Sequence, residues 1–397
     1  MEKKIFTKEL AMKVVIDKLV LATMMSRAQG GLSDKNFSYL GIKTLNKDKL
    51  QISVRDRVMA IYCDGISMNE QIGTVFVQAK LFSDIVRELP SGTISIATEN
   101  HNQLVITAGK KNEFVMKLPL VGDMKWQEEP VLGVGIEDLI VPSSKFSYMI
   151  DQVQFCINQD SPRNYGTVGF FHKNSSNKLR LVGTDGFRLS FCEIVFQAET
   201  IENSPSSKKS FLKDGGVCIS KRGLSELSRM SNEGFETVYI SISEDGKTLL
   251  ARVEGYQLYI LLSSISFPNY QGVIPEYKPS QLNVSCESLQ SVTRRVLLAS
   301  DKTKTLKINL KKGSLTLSSR NLGSSEGYES IGLDSYDGPS GSFSVNGKFL
   351  TDLVSATMSE SINIRFNNDD SPVLIIPSSE PKECRSQHVL VPIKDGN

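Results

Sequence analysis

The chain has 397 residues, which is enough for roughly two to four domains that each bury a core. With 40% hydrophobic and 23% charged residues, its composition excludes a disordered chain and is ordinary for a globular protein. The net charge of +2 neither requires nor excludes a nucleic-acid partner, so only a local basic surface can argue for one.

The cysteine and histidine contents argue against a zinc cluster. The six cysteines never form a C-x-x-C pair, and the three histidines stand far apart. Single scattered cysteines are typical of reduced thiols in a cytosolic protein. Lys13, Asp17 and Lys18 interrupt the first apolar run, which argues against a signal peptide and a membrane span. We therefore expect a cytoplasmic protein without a metal or a cofactor.

One helical spacing occurs three times along the chain. Apolar residues at positions i, i+3, i+4 and i+7 predict an amphipathic helix that covers a core. The spacing occurs at Met12, Val15, Ile16 and Leu19, at Phe146, Met149, Ile150 and Val153, and at Leu289, Val292, Thr293 and Val296. Such a recurrence predicts an internal repeat.

A second helical pattern recurs in register with the first. It reads basic, any, apolar, hydroxyl, acidic, aliphatic, and it occurs at 80–85, 222–227 and 348–353. Strand–turn–strand segments are predicted before each copy, with turns at 55–57, 184–186 and 320–322, and after it, at 93–107, 238–253 and 362–376. We therefore predict an α+β fold of three domains, each with two helices packed on antiparallel sheets. The expected domain boundaries are 1–130, 131–275 and 276–397.

The middle copy of the recurring turn has an unusual sequence, Thr184-Asp185-Gly186-Phe187-Arg188-Leu189. Asp-Gly between apolar runs predicts a hairpin, which is either a plain turn or a turn that holds Arg188 and Leu189 at the mouth of a groove. A hydrolase that uses Asp185 is an alternative, but no second carboxylate or histidine stands near it in the sequence. Nucleotide-binding and hydrolase motifs are also absent from the sequence, so we expect no catalytic residues and no enzyme activity.

The second helix of each repeat carries charges on one face. The basic residue and the residues four and seven positions later share that face. One interpretation is a salt-bridged surface, the usual fate of such charges. The other is that three equivalent helices direct cations at a shared polyanion, with an attraction that depends on salt and not on base sequence. The faces are Lys80/Asp84/Arg87, Arg222/Glu226/Arg229 and Lys348/Asp352/Ser355.

Three motifs in order, together with the repeats, make the chain resemble a known family. They are Thr184-Asp185-Gly186-Phe187-Arg188-Leu189, Phe267-Pro268-Asn269-Tyr270-Gln271-Gly272-Val273-Ile274-Pro275 and Val389-Leu390-Val391-Pro392-Ile393-Lys394. The chain is similar almost end to end to the bacterial DNA polymerase III β subunit, the DNA sliding clamp. The resemblance implies three DNA-clamp domains that form half of a six-domain ring, closed by a head-to-tail homodimer. It also implies a non-catalytic processivity factor that encircles double-stranded DNA without reading its sequence.

The resemblance further implies a partner-peptide groove between the second and third domains. Expected partners are the DNA polymerase III α subunit, the clamp loader and other clamp-binding peptides. Apolar walls would supply the burial, and Arg188 with turn backbone groups would orient the peptide. The matching residues are Arg163, Tyr165, Thr184, Gly186, Phe187, Arg188, Leu189, Pro268, Val273, Asn346, Phe349, Val389, Leu390, Val391, Pro392 and Ile393.

Two further sets of residues follow from the resemblance. The DNA-facing residues are expected to be Arg27, Lys80, Lys221, Arg222 and Lys348, each of which is otherwise an ordinary surface charge. The dimer interface is expected to use Phe114, Met116, Leu297 and Leu298, each of which is otherwise an ordinary core residue.

The chain also departs from the family pattern near the groove. Phe187 replaces a usual histidine, Gly272 a usual arginine and Gly166 a usual leucine, and the last of these changes is expected to deepen the groove. The tail 394–397 extends slightly beyond the usual end. Three alternatives to a replicative clamp remain open: a clamp paralogue with altered peptide specificity, the Asp185 hydrolase, and a protein-interaction scaffold without a role on DNA.

Overall fold

The computed structural model describes residues 12–32, 39–100, 102–109, 113–122, 124–130, 138–175, 177–199, 215–243, 245–276, 282–333, 336, 340–367 and 370–394. The chain forms two compact units. The first comprises Met1–Asp138, Thr200–Lys208 and Thr237–Leu261, and the second comprises Leu139–Glu199, Lys209–Glu236 and Leu262–Asn397. Within the described ranges, no helix is long and apolar enough to cross a bilayer.

The described residues contain six α-helices, two for each repeat. They are α1 Lys18–Ala28, α2 Ala79–Glu88, α3 Ser143–Gln154, α4 Lys221–Ser231, α5 Cys286–Val296 and α6 Gly347–Ala356. The strands of the first repeat are β1 Lys13–Asp17, β2 Tyr39–Thr44, β3 Lys49–Arg55, β4 Met59–Ile66, β5 Met68–Gln71, β6 Thr74–Gln78, β7 Thr93–Glu99, β8 Gln103–Ala108 and β9 Phe114–Pro119. Those of the second are β10 Asp138–Pro142, β11 Val168–Ser175, β12 Lys178–Thr184, β13 Arg188–Val195, β14 Gln197–Glu199, β15 Val217–Ser220, β16 Thr237–Ile242, β17 Thr248–Val253 and β18 Tyr256–Leu261. Those of the third are β19 Leu282–Ser285, β20 Thr305–Lys311, β21 Ser314–Asn321, β22 Ser325–Gly332, β23 Gly341–Asn346, β24 Ser361–Arg365, β25 Val373–Pro377 and β26 Cys384–Leu390.

Within the first unit, two antiparallel sheets enclose the core. A five-stranded sheet has the order β5-β1-β7-β8-β9, and the strands of the other sheet that belong to this unit have the order β16-β17-β18-β4-β3-β2-β6. The pairing of Tyr256 with Cys63 joins a strand of the second repeat to one of the first, so that sheet is continuous across two repeats. Helix α1 packs so closely on β4 that a side chain at Gly65 would collide with Met24.

Within the second unit, an eight-stranded sheet spans two repeats in the same way. Its order is β15-β11-β12-β13-β26-β25-β24-β19, and a four-stranded sheet has the order β22-β21-β20-β23. Strand β13 pairs with β26 from Arg188↔Leu390 to Ile194↔Cys384. This pairing joins the second repeat to the third and places the two motif segments side by side.

The structure corrects the predicted opening helix. Met12 precedes strand β1, Val15 and Ile16 lie within it, and α1 begins only at Lys18. The β-branched run before Asp17 favours a strand, and the Asp17 side chain accepts a hydrogen bond from the Leu19 amide at 2.8 Å, which caps the helix there. Leu19 is 75% exposed and belongs to no core, since the buried face of α1 is formed by Leu21, Met24, Met25 and Ala28.

The other predicted elements are confirmed. Apolar residues of the second and third copies of the first spacing lie on the buried faces of α3 and α5. The second pattern forms α2, α4 and α6, and the predicted turns join β3 to β4, β12 to β13 and β21 to β22. The later strand pairs are β7–β8, β16–β17 and β24–β25.

Candidate functional site

The 184–189 turn is held by its own side chains. The Asp185 Oδ1 atom accepts hydrogen bonds from the Phe187 and Arg188 amides at 3.0 and 3.1 Å. The Thr184 hydroxyl donates to the Arg188 carbonyl at 2.7 Å. Gly186 has a φ of 87°, a left-handed conformation that L residues rarely adopt. These contacts hold the turn in a conformation in which Phe187 is 53% exposed.

Arg188 lies at the centre of a buried ion-pair network. Its Nε donates to the Asp185 Oδ2 atom at 3.0 Å, and its Nη1 donates to the Asp352 Oδ2 atom on α6 at 2.9 Å. Only 8% of the Arg188 side chain is exposed, compared with 8% for Asp185 and 33% for Asp352. Its guanidinium also lies 4.2 Å from the Phe349 ring centroid, a cation–π contact. Arg188 thus fixes the turn of the second repeat to the last helix of the third.

The same network gives Asp185 a structural role. Both carboxylate oxygens are occupied by donors of the turn, and the side chain is buried. Among the described residues, no group of three or more histidine, cysteine or carboxylate side chains is placed to hold a metal. This geometry argues against the hydrolase alternative.

Apolar residues from both motif strands form one cluster beside the turn. Leu189 on β13 and Val389 on β26 are register partners, and both are buried. They pack with Tyr270, whose ring belongs to the segment 267–275 that crosses the sheet. The buried cluster is Val182, Leu189, Phe191, Tyr270, Leu374 and Val389, with Phe170, Phe267, Ile274 and Ile376 packed against it.

The tail after β26 is tied down on both sides. The Val391 amide donates to the Phe187 carbonyl at 3.0 Å, and the Ile393 amide donates to the Ser344 carbonyl of β23 at 2.7 Å. Val391 is 41% exposed, while Pro392 and Ile393 are half-buried. Lys394 is exposed, and positions 395–397 of the expected tail extension lie outside the described residues.

Several other predicted groove residues lie around the 184–189 turn and α6. The Arg163 guanidinium lies 5.2 Å from the Phe187 ring centroid, and a side chain at Gly186 would collide with it. Asn346 caps α6 by accepting from the Lys348 and Phe349 amides. Pro268 and Val273 are exposed, Tyr165 is half-buried in the short 3-10 helix Asn164–Thr167, and Leu390 is buried.

The expected deepening of the groove at Gly166 does not occur there. Gly166 is buried, and an added Cβ would lie 2.3 Å from the Ser161 Oγ atom. Ser161 therefore fills the space that a larger residue would take.

Sequence reasoning misses three residues of this region. The helical pattern places Asp352 only on a surface face, although it is the partner of Arg188. Phe155 lies 5.6 Å from the Arg188 guanidinium, and Tyr270 lies at the centre of the apolar cluster. The Phe-Pro-x-Tyr motif contains a signal for Tyr270, whereas nothing local marks Asp352 or Phe155.

Two of the predicted cations of the second unit, Lys221 and Arg222, line an open cavity of about 300 Å³. Lys221, Arg222 and Ser225 at the start of α4 line it, together with Asn158, Gln159 and Asp160. The Lys221 Nζ donates to the Ile157 carbonyl at 2.6 Å, so this cation is held at the rim. Lys348 on α6 is exposed.

In the first unit, Lys80 on α2 is exposed. Arg27 lies in the last turn of α1, with its guanidinium 5.5 Å from the Tyr256 ring centroid. The repeated faces do form internal ion pairs, since Arg87 pairs with Asp84 at 3.5 Å and Arg229 with Glu226 at 2.8 Å. In these two faces the acid pairs with the basic residue three positions after it, so the ion pairs are compatible with both interpretations of the faces.

Two of the predicted dimer residues lie on an edge strand, and the other two lie in the short 3-10 helix Leu297–Ala299. Phe114 and Met116 are on β9, the last strand of its sheet, where Met116 is 37% exposed. Leu298 is 86% exposed, whereas Leu297 packs against the core of the third repeat. Edge strand β22 adds Tyr328, which is 78% exposed and which the sequence does not single out. An exposed apolar edge strand favours pairing with another chain.

A buried histidine lies between α3 and the motif strands. The His388 Nδ1 atom lies 2.7 Å from the Ser190 hydroxyl, which donates in turn to the Gln152 carbonyl. That arrangement makes Nδ1 the protonated nitrogen, and Nε2 has no partner among the described residues. Burial lowers the pKa of His388 from its ordinary 6.5 to about 3, because a second N–H would find no acceptor.

We expect this histidine to make the protein acid-sensitive. Between pH 6.5 and pH 3, His388 binds a proton in the unfolded chain but not in the folded chain. The free energy of unfolding therefore falls by about 1.4 kcal/mol for each unit by which the pH decreases in this range. Denaturant titrations of the wild type and His388→Gln between pH 7.5 and 4 measure the difference. An equal acid limb in both proteins would contradict the assignment.

Comparisons with known proteins agree with the fold. Family models of the DNA polymerase III beta subunit match the chain with their N-terminal domain at residues 12–121, their central domain at 140–269 and their C-terminal domain at 271–394. The Beta sliding clamp of Caulobacter vibrioides is 25% identical over 395 residues, covering 96% of this chain and 100% of the relative.

Solved structures give the same result. The sliding clamp of Pseudomonas aeruginosa bound to griselimycin has a TM-score of 0.83 at 20% identity, covering 97% of this chain and 100% of that one. The C. crescentus beta sliding clamp has a TM-score of 0.84 at 24% identity, covering 98% and 100%. Three domains of helices on antiparallel sheets, with these matches, define the class of sliding clamps. The chain belongs to the DNA polymerase III beta subunit family.

Proposed function

We propose that two copies of this chain close head to tail into a six-domain ring around duplex DNA, and that the groove holds extended peptides of proteins that work there. The observation that carries the proposal is the Arg188 network, which fixes the 184–189 turn against α6 while the Phe187 ring stays exposed. The partners would be the polymerase α subunit, the clamp loader and other proteins with clamp-binding peptides. The domain boundaries would be 1–130, 131–275 and 276–397.

The ring would act without catalysis and in the cytoplasm. The Asp185 carboxylate accepts hydrogen bonds within its own turn. All six cysteines are free thiols. Burial raises the pKa of Cys218 to about 11 and also raises that of Cys156 and Cys192, so these thiols are poor nucleophiles.

Peptide binding in the groove can be tested with two ligands. One is a labelled peptide from the carboxyl-terminal end of the replicative polymerase α subunit. The other is griselimycin, which is bound in the sliding-clamp structures of Pseudomonas aeruginosa and Bartonella birtlesii. Saturable binding of the peptide, displaced by griselimycin, would support a groove that both ligands share.

The DNA role depends on cations of the repeated helices. Replacing Lys80, Arg222 and Lys348 together by glutamate is expected to weaken binding to long duplex DNA at low salt. The slope of log K against log salt should become shallower by roughly three, about one for each phosphate that the variant no longer neutralises. Fluorescence anisotropy over a salt series measures both quantities.

The matched control reverses three exposed lysines away from these helices, Lys47, Lys125 and Lys312. Because the control changes the net charge by the same amount, it distinguishes the effect of the helix surface on DNA binding from the effect of net charge alone. An unchanged salt slope in the helix variant, or an equal loss in the control, would contradict a DNA-facing role and favour the scaffold alternative.

A further inference from the structure

The segment 267–275 is attached to the sheet through the hydroxyl of Tyr270. Tyr270 is 4% exposed, and its oxygen accepts a hydrogen bond from the Arg180 Nη1 atom at 3.0 Å. The His172 Nε2 atom lies 2.8 Å from the same oxygen. Arg180 and His172 are opposite each other on neighbouring strands β12 and β11, so one hydroxyl joins the crossing segment to two strands.

The two partners of Tyr270 are themselves held in place. Arg180 pairs with Glu193 on β13 at 3.0 Å, with side chains 12% and 7% exposed, and lies 4.3 Å from the Phe191 ring centroid. Asn174 on β11 also donates to Glu193. Because Arg180 is already held in place, little additional entropy is lost when the Tyr270 hydroxyl accepts its hydrogen bond.

Aromatic rings extend this attachment along the segment. The His172 ring stacks on Phe170 at 4.9 Å, and Phe170 stacks on Phe267 at 5.0 Å with an interplanar angle of 9°. The Val273 amide donates to the Tyr270 carbonyl at 3.1 Å. The position of Tyr270 therefore sets that of Val273, which is 46% exposed and is a predicted groove residue.

The hydrogen-bond directions show which protonation state the attachment needs. The His172 Nδ1 atom faces its neighbour's carbonyl, Lys173 O, at 3.2 Å, so it carries the proton and Nε2 accepts from the Tyr270 hydroxyl. A second proton on Nε2 would turn that acceptor into a donor and leave the phenol proton without a partner. It would also place a cation beside Arg180, with the Glu193 carboxylate already paired to that arginine.

We propose that Tyr270, Arg180 and His172 are positioning residues of the peptide groove, and that protonation of His172 releases the crossing segment and weakens peptide binding. This inference rests on the proposed function of the groove. Burial of the His172 ring, with the nearby Arg180 charge, lowers its pKa below the ordinary 6.5 despite the hydrogen bond to Lys173. Binding is therefore unaffected near neutral pH and falls as the pH drops below 6.5.

The test measures two quantities in the full-length chain between pH 7.5 and 5. The first is the affinity for a rhodamine-labelled polymerase α-subunit tail peptide. The second is amide hydrogen exchange of residues 267–275 without peptide, corrected for the intrinsic pH dependence of exchange. Variants are His172→Gln, which keeps an acceptor but does not titrate, and Tyr270→Phe, which removes only the hydroxyl. Tyr239→Phe, in the other unit, is the matched control.

We expect the wild type and Tyr239→Phe to bind roughly tenfold more weakly at pH 5 than at pH 7.5, with faster exchange of the segment. His172→Gln should keep the neutral affinity at both pH values. Tyr270→Phe should be weak and pH-independent, with fast exchange throughout.

Exchange of the segment that is equal in all four proteins, or that responds to pH in His172→Gln as in the wild type, overturns the attachment. Tyrosine- and pH-dependent exchange in a wild type that binds no peptide contradicts the groove's proposed function instead. The two failures are therefore distinguishable.

Discussion

Replacing Arg188 with alanine is expected to lower the free energy of unfolding by about 3 kcal/mol and to abolish peptide binding. Arg188 is the shared partner of Asp185 and Asp352, and its removal leaves the buried Asp185 carboxylate without a cation. Breaking a buried ion pair by deleting one partner typically costs about 3–5 kcal/mol, and the partial exposure of Asp352 places this case at the lower end. Binding is lost because the turn is no longer fixed to α6.

Denaturant unfolding and peptide anisotropy measure the two effects separately. Arg385→Ala removes an exposed arginine from β26 of the same sheet, and it should change stability by less than about 0.5 kcal/mol. Folded Arg188→Ala with wild-type peptide affinity would contradict the groove. A folded wild-type dimer that binds no polymerase peptide would favour the paralogue alternative, in which the groove takes other peptides.

The second large effect is expected at the proposed dimer interface, at edge strand β22 and the short 3-10 helix Leu297–Ala299. Replacing Leu298 and Tyr328 together by glutamate should convert the proposed dimer to monomers over the micromolar range, a loss of at least about 100-fold in dimer affinity. Both side chains are more than three-quarters exposed, at 86% and 78%, and β22 is paired only to β21 among the described strands. We infer that a partner copy covers this edge with its β9, where Met116 and Val115 are exposed.

Sedimentation velocity at several concentrations measures this change. The control is Met358→Glu, which alters a comparably exposed apolar residue, 75% exposed, that lies outside the proposed interface. A double variant that remains dimeric would show that Leu298 and Tyr328 do not form the interface. Loss of the dimer in the control would also contradict the assignment.

The repeats explain why most of the fold is predictable. Helices α2, α4 and α6 share a local pattern of charge and apolar residues, and three copies in register outweigh the uncertainty of each one. The apolar spacing predicts the opening helix too early in the chain. Met12 to Leu19 fit a helical period, but the β-branched residues among them favour a strand. The Asp17 cap decides the competition, and such a cap is local information that the spacing ignores.

The site is predictable where it lies within motifs and not where it depends on distant pairing. The chemistry of the 184–189 turn can be read from its Thr-Asp-Gly sequence. The ion pair of Arg188 with Asp352 joins residues 164 positions apart, and no local pattern encodes it. Tyr328 is not predicted for a similar reason, since the position of β22 at the edge of its sheet depends on the order of distant strands.

The most direct test of a ring that holds DNA by topology is retention on circular DNA. The wild-type chain, loaded by its clamp loader onto nicked circular DNA, is separated from free protein by gel filtration at about 0.5 M NaCl, where charge contacts are screened within a few Å. We expect the protein to stay on the circle and to leave when one restriction cut makes the DNA linear. Release from the intact circle at the rate seen for linear DNA would contradict the ring.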